Sequence, residues 1–203
     1  MSRRSGSSQT LGRPREFDID EATRKAMNVF WDRGYHDASL PDLLSGMDLT
    51  KGSFYKAFGD KKAIFLRALE LYSDDAMRNV RDVLSSDTSP KVAIRNALLR
   101  YAELSSGPKG LRGCFAVLST TEMLPGDSET AVRMNKHFSR LQDLFADAVL
   151  RGQAMGEIGK RTDAGTMALF IVSHAQGMRV LGKVGAGREQ MLANVDLVMS
   201  ILS

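Results

Sequence analysis

The sequence predicts an all-α fold of about nine helices, and three observations carry the prediction. Apolar residues recur three and four positions apart along nearly the whole chain. Ser, Thr and Asp stand just ahead of those runs, where they cap helices, and glycines follow them. With five prolines and few β-branched residues, the composition favours helix over strand. At 203 residues, 43% hydrophobic and 26% charged, the chain is long enough and apolar enough to bury a full core.

In chain order, residues 1–16 are rich in Ser, Gly and Arg and read as a flexible basic arm. Asp18 or Asp20 caps a first helix with Ile19, Ala22, Ala26, Val29 and Phe30 on one face, and Gly34 ends it. Ser39 caps a short second helix that tolerates Pro41 in its first turn and buries Leu40, Leu43, Leu44 and Met47. After a turn at 46–48, Thr50 caps a third helix that stops at Gly59. Asp60 opens a long fourth helix through Ile64, Leu66, Leu69, Leu71 and Met77. Ser89–Pro90 starts the next, and "SSGPKG" breaks it, with Gly107 and Gly110 as breakers. A segment from Cys114 to Met123 follows, and a helix restarts at Asp127 with Met134, Phe138, Leu141, Phe145 and Ala148 on its stripe. Residues 167–184 form a long apolar helix, and a last one holds Met191, Leu192, Val195, Val198, Met199 and Leu202. Both are apolar over more than one face, which predicts a homodimer through these two helices.

The net charge of +4 is unevenly spread. Residues 1–15 carry Arg3, Arg4, Arg13 and Arg15 and no acid; residues 16–48 hold three bases against eight acids; residues 49–62 hold four lysines against Asp60. Two basic segments flanking an acidic one point to a polyanion more than the whole-chain balance does. The second segment, "LTKGSFYKAFGDKKAIF" (49–65), mixes rings with lysines. On a helix, Phe54 and Phe58 fall on one face, while Lys51, Ser53, Tyr55 and Lys56 project elsewhere. Two short helices joined by a tight turn, with a first helix across them, make a helix-turn-helix whose second member offers its polar face to the major groove. The expected division is 1–16 arm, 17–62 DNA-binding head and 63–203 helical sensing and dimerisation domain.

Ala26–Phe30, "RGY" (33–35), "SLPDLL" (39–44) and residues 49–65 together resemble the tetracycline-repressor (TetR) family of bacterial transcription regulators. The resemblance covers the N-terminal third. It implies a dimeric all-α regulator, repression at a palindromic double-stranded DNA operator, and release by a small hydrophobic ligand or by thiol modification. It places Thr50, Lys51 and Ser53 at base edges and phosphates, with Gly52 letting the helix approach the duplex closely, Tyr55 and Lys56 at a phosphate-contacting pair, Lys61 against the DNA backbone, and Ser39 at the cap of the second helix, all as DNA-binding positions. Arg13 and Arg15 in "GRPRE" resemble a minor-groove arm. Asp48 stands where the family usually has glycine, a position that Asp tolerates in a left-handed turn. Ala57 replaces a frequent polar residue, which removes one phosphate contact.

Gly113–Cys114 resembles a subgroup in which the cysteine senses electrophiles or oxidants, accompanied by a lysine at the position of Lys183. The alternatives are an inert buried thiol, or a pocket for a hydrophobic ligand lined by Leu118, Met123, Phe138, Met167, Phe170 and Met178. A rival reading of the whole chain is a helical ligand-binding or thiol-reactive protein without specific DNA binding.

A single cysteine excludes an internal disulfide and suits a reducing cytoplasm. The N-terminal residues lack the apolar run of a secretory signal, and no stretch is apolar enough to span a bilayer. His36, His137 and His174 share no metal-ligand spacing, and no phosphate loop, nucleophile elbow or dinucleotide fingerprint occurs. The expectation is therefore a non-enzyme without cofactor or metal.

Overall fold

The computed structural model describes residues 17–86 and 89–202, and every regular element within them is a helix. There are ten: α1 Ile19–Arg33, α2 Leu40–Met47, α3 Lys51–Phe58, α4 Lys61–Ser85, α5 Pro90–Leu104, α6 Gly107–Arg112, α7 Phe115–Met123, α8 Ser128–Ala154, α9 Ala164–Lys183 and α10 Arg188–Ile201. The expected arm, with Arg13 and Arg15, lies outside the described residues.

The caps explain why the helices start where they do. Asp18, rather than Asp20, receives the N–H groups of Asp20 and Glu21 at 2.8 and 3.2 Å. Thr50 takes that of Ser53 at 3.2 Å, Asp60 that of Ala63 at 2.7 Å and Asp127 that of Thr130 at 2.7 Å. Each such cap contributes about 1 kcal/mol. Asp163, ahead of α9, caps Thr166 in the same way at 2.9 Å, so that helix begins three residues before the apolar run expected from Met167.

The stretch read as a break, "SSGPKG", carries the six-residue helix α6. Its glycine has a packing role instead. A Cβ on Gly110 would overlap the Ser105 carbonyl, and so would one on Gly182 of α9. The two glycines let α6, α9 and the end of α5 meet backbone to backbone.

Side chains gather in two cores. The N-terminal core holds Ala26 and Phe30 of α1, Leu43 and Met47 of α2, Phe54 and Phe58 of α3, and Ile64, Phe65 and Leu69 of α4. Phe115 and Met123 of α7 and Met134 of α8 complete it. The C-terminal core holds Ile94 and Leu98 of α5, Leu141 and Phe145 of α8, Ile171 of α9, and Val195 and Val198 of α10. Helix α4, about 37 Å long at 1.5 Å per residue, enters both: its first half supplies the N-terminal core and Met77, Val80 and Leu84 the other. Among the described residues no helix is long and apolar enough to cross a membrane.

Candidate nucleic-acid interface

Helix α3 has two chemically opposite sides. Phe54 is fully buried and Phe58 is 8% exposed, their ring centres 5.8 Å apart. Tyr55 is 46% exposed, and Thr50, Lys51, Gly52, Lys56 and Ala57 lie at the surface with Ser53 half-buried. Among the described residues neither Lys51 nor Lys56 has a carboxylate within salt-bridge reach, so both ammoniums face solvent with their charge uncommitted. A Cβ on Gly52 would meet nothing, which leaves the first turn of α3 open on its outer side. The N-terminal end of α3 also carries a positive partial charge and no acid in its first turn. Uncommitted cations, an exposed phenol and hydroxyls on one flank suit phosphate oxygens and base edges.

The turn before α3 holds Asp48 at φ 57°, ψ 46°, the left-handed conformation expected of it. The N–H of Leu49 bonds to the carbonyl of Leu44 at 3.0 Å, which closes the end of α2 and fixes the angle to α3. Gly46 packs against the Val29 methyl, so α1 and α2 touch where a side chain would intrude. Ser39 caps α2 by accepting the Asp42 N–H at 3.2 Å, and its hydroxyl donates to the Asp42 carboxylate at 2.6 Å. That hydrogen bond holds the Asp42 pKa below the usual carboxylate range. Lys61 donates to the His36 carbonyl at 3.3 Å and lies 4.7 Å from the Tyr35 ring centre, at the turn that leads into α2.

Two contacts from the rest of the chain hold this unit. Glu122 of α7 accepts the N–H groups of Tyr35 and His36 at 2.9 and 2.8 Å. Gly34, at φ 83°, leaves room for that carboxylate; a Cβ there would lie 3.0 Å from it. Lys62 pairs with Asp127 at the start of α8 and, with the Thr130 N–H, holds the Asp127 carboxyl down to about 2.

Comparison with known proteins places this geometry. The model for "Bacterial regulatory proteins, tetR family" matches residues 23–68, from within α1 to within α4. The chain is 30% identical to the HTH-type transcriptional regulator YezE of Bacillus subtilis (strain 168), over 95% of this chain and 100% of that one. It is 27% identical to the HTH-type transcriptional repressor ComR of Escherichia coli (strain K12), over 91% and 88%. A cysteine-substituted form of the TetR family transcriptional regulator CifR, solved with 26-bp operator DNA, superposes with a TM-score of 0.81 at 34% identity, covering 94% of this chain and all of that one. The chain belongs to the TetR family. It is a sequence-specific DNA-binding transcription regulator.

A cavity of about 300 Å³, lined mostly by apolar atoms, lies between the two cores. Its wall takes Met27 and Trp31 from α1, Tyr72, Asp75 and Val80 from α4, Arg100, Tyr101 and Leu104 from α5, Cys114 at the cap of α7, His137 from α8, and Gln176 and Arg179 from α9. Cys114 is buried, and its sulfur lies 3.1 Å from the Tyr72 hydroxyl. Burial pushes the pKa of Tyr72 and of Tyr101 up, and burial holds that of His137 down to about 4. The Arg179 guanidinium, 6% exposed, donates from Nη2 to the Gly113 carbonyl, while its Nη1 has no acceptor.

None of the six residues expected to line a hydrophobic pocket borders this cavity, while Cys114, the expected sensor, does. Met167 and Met178 fill the C-terminal core, Met123 the N-terminal one, and Phe138 packs against both. Leu118 and Lys183 line a separate, more polar cleft with Glu122. Phe170 is 39% exposed on the outer face of α9. Helical spacing marks these side chains as apolar without saying whether they face a void or another side chain. Lys183 passes beside Gly113, where a Cβ would come within 3.2 Å of its Cδ. Arg112 turns away from Cys114 to Asp32 at 2.8 Å and lies over Trp31. The signal that could have found Arg179 is its position four residues after Ala175 and seven after Val172, on the buried face of a helix otherwise uncharged before it.

His36 is exposed, His137 bonds Ser73 at 2.9 Å, and His174 stands beside Phe170.

Proposed function

We propose that the regulator is a repressor that binds a palindromic operator as a homodimer and leaves it when an effector acts on the cavity. Residues 17–62 serve as the DNA-binding head and 63–203 as the sensing and dimerisation body. The observation that carries the reading is the two-sidedness of α3: its rings anchor it in the N-terminal core and its cationic, hydroxylated flank faces out. In this reading Thr50, Lys51, Gly52 and Ser53 approach base edges and phosphates, and Tyr55 and Lys56 grip the backbone, assisted by Ser39 and Lys61. Arg13 and Arg15 enter the minor groove. The name of ComR, a repressor similar over nine-tenths of the chain, supports repression over activation.

Dimerisation is supported by an apolar outer surface on the last two helices. Leu169, Phe170, Val180 and Leu181 of α9, Val184 just past its end, and Leu197 and Ile201 of α10 are all exposed. Gly177 sits among them at mid-helix, where a Cβ would meet nothing in the chain. Glycine there costs about 1 kcal/mol relative to alanine, and close approach of a partner helix gives it a use. A C2 pair presents two α3 helices to half-sites about 34 Å apart.

The test is a mobility shift on DNA flanking the regulator's own gene, with affinity measured across salt concentrations. Lys51→Ala and Tyr55→Ala keep the wild-type circular dichroism spectrum and weaken binding; Lys51→Ala also lowers the log–log salt slope by about one. Unchanged affinity and slope in both variants overturns the assignment of α3.

The effector acts in one of two ways, by occupying the cavity or by modifying Cys114. Occupancy of the cavity by a small molecule is supported by its size and mixed lining. Modification of Cys114, in a subgroup marked by Gly113–Cys114, is supported by the thiol's place on the same wall. Equal operator release by an oxidant from wild type and Cys114→Ser ends the second.

A further inference from the structure

We propose that the effector is a small monoanionic amphiphile, a carboxylate on an apolar body, whose acid group pairs with Arg179 in the cavity between the cores. The proposal rests on the reading of that cavity as the effector site and adds the chemical class.

Four observations lead to it. Arg179 is a cation at 6% exposure, with no carboxylate in salt-bridge range among the described residues. A guanidinium does not shed its proton, so the charge stays, and a buried charge without a counter-ion is costly. Its Nη2 is given to the Gly113 carbonyl, which sets the plane of the group, and its Nη1 is left without an acceptor. Trp31, across the cavity on α1, adds a second buried donor without an acceptor, Nε1.

The wall itself supplies no anion to match. Its carboxylate, Asp75, is bound by Arg24 and Arg78, both outside the cavity lining. Arg100 adds a second positive group to the wall. Tyr72 and Tyr101 stay protonated, so they present hydroxyls rather than charge. A ligand that satisfies this site therefore brings acceptors and one negative charge. A carboxylate fits the flat guanidinium fork better than a spherical anion does. The rest of the lining, from Met27, Val80, Val83, Ala97 and Leu104, selects an apolar body behind the acid. Gln176, whose Oε1 is also unpaired, can receive a hydroxyl or N–H carried beside the acid.

Met27 and Trp31 belong to α1, the helix against which α2 packs, in the core that also takes the rings of α3. A ligand seated on Arg179 thus touches the head and the body together and favours the arrangement that accommodates it.

Trp31 is the chain's one tryptophan, so its fluorescence reports the wall directly. The probes are 3-phenylpropanoate and octanoate, each against its neutral amide. Expected is a saturable change with the acids, at least tenfold tighter than with the amides, and loss of that preference in Arg179→Gln but not in Arg179→Lys. Equal affinity of acid and amide for wild type, no saturable response to either acid, or a preference that survives in Arg179→Gln overturns the proposal. The wild-type comparison stands even if a variant fails to fold. Operator release is read separately by mobility shift: acids that bind but leave the operator complex intact overturn the effector reading and spare the binding class. Acids that fail to bind a protein that still holds its operator overturn the binding class alone.

Discussion

Single residues in this regulator differ in how far their roles can be read locally. Asp48 and Thr50 are legible because a left-handed turn and a helix cap depend on neighbours within four positions. Arg179 and Glu122 are not, because what they touch, Gly113 and the Tyr35–His36 amides, lies 66 and 86–87 positions away. His137 belongs to the second kind and yields a pH prediction. It is buried between α8 and α4, with Nδ1 on the Ser73 hydroxyl and Tyr72 beside it. Burial, with a smaller contribution from Arg140, holds its pKa to about 4. Glu70 and Asp74 of α4, with Arg133 and Lys136 of α8, line the adjoining cleft. An unfolded histidine titrates near 6.5, so between pH 6.5 and 4 the unfolded chain binds the extra proton. Stability is then full above 6.5 and falls as pH drops through that window, by on the order of 2–3 kcal/mol. Asp127, held near 2, loses its share only below about 4, where an unfolded aspartate takes its proton. Urea unfolding at pH 7 and 4.5 measures the difference, and His137→Gln, which keeps a partner for Ser73, flattens it.

At the scale of elements, helix starts were readable and helix contacts were not. Six of the ten starts among the described residues, those of α1 to α5 and α8, are announced by a capping Asp, Ser or Thr, and the stripe of α8 is visible in its spacing. "SSGPKG" shows the limit: glycine reads as a breaker in a sequence window, yet Gly110 is there because the Ser105 carbonyl at the end of α5 occupies the place of a side chain. The same holds for Gly182, whose methyl would meet the backbone of Ser105, which cannot move aside as a side chain can. Gly182→Ala therefore destabilises, by about 1–3 kcal/mol, and thermal unfolding reads it. Gly177→Ala, in open space on the same helix, leaves the isolated fold unharmed. The contrast between two glycines five residues apart separates internal packing from the proposed dimer surface.

For the whole molecule, the arrangement of two cores joined by one long helix follows from sequence only in outline. The amphipathic pattern predicts that α4 is long; which half serves which core depends on α7 and α8 folding back over the head. The exposed apolar surface of α9 and α10 sets the prediction at this scale. Val180→Asp with Leu181→Asp converts the proposed dimer to monomer in sedimentation at micromolar concentration, and operator affinity falls because one head holds one half-site. Helix α4 also has a geometric consequence. It is a stiff rod about 37 Å long, packed in the C-terminal core at one end and joined to α3 at the other. Pivoting it by about 5° carries the tip sideways by roughly 3 Å, close to the 3.4 Å step between stacked bases. In the proposed dimer, a tilt of a few degrees therefore suffices to put one protomer a rung out of step with its partner on the duplex ladder.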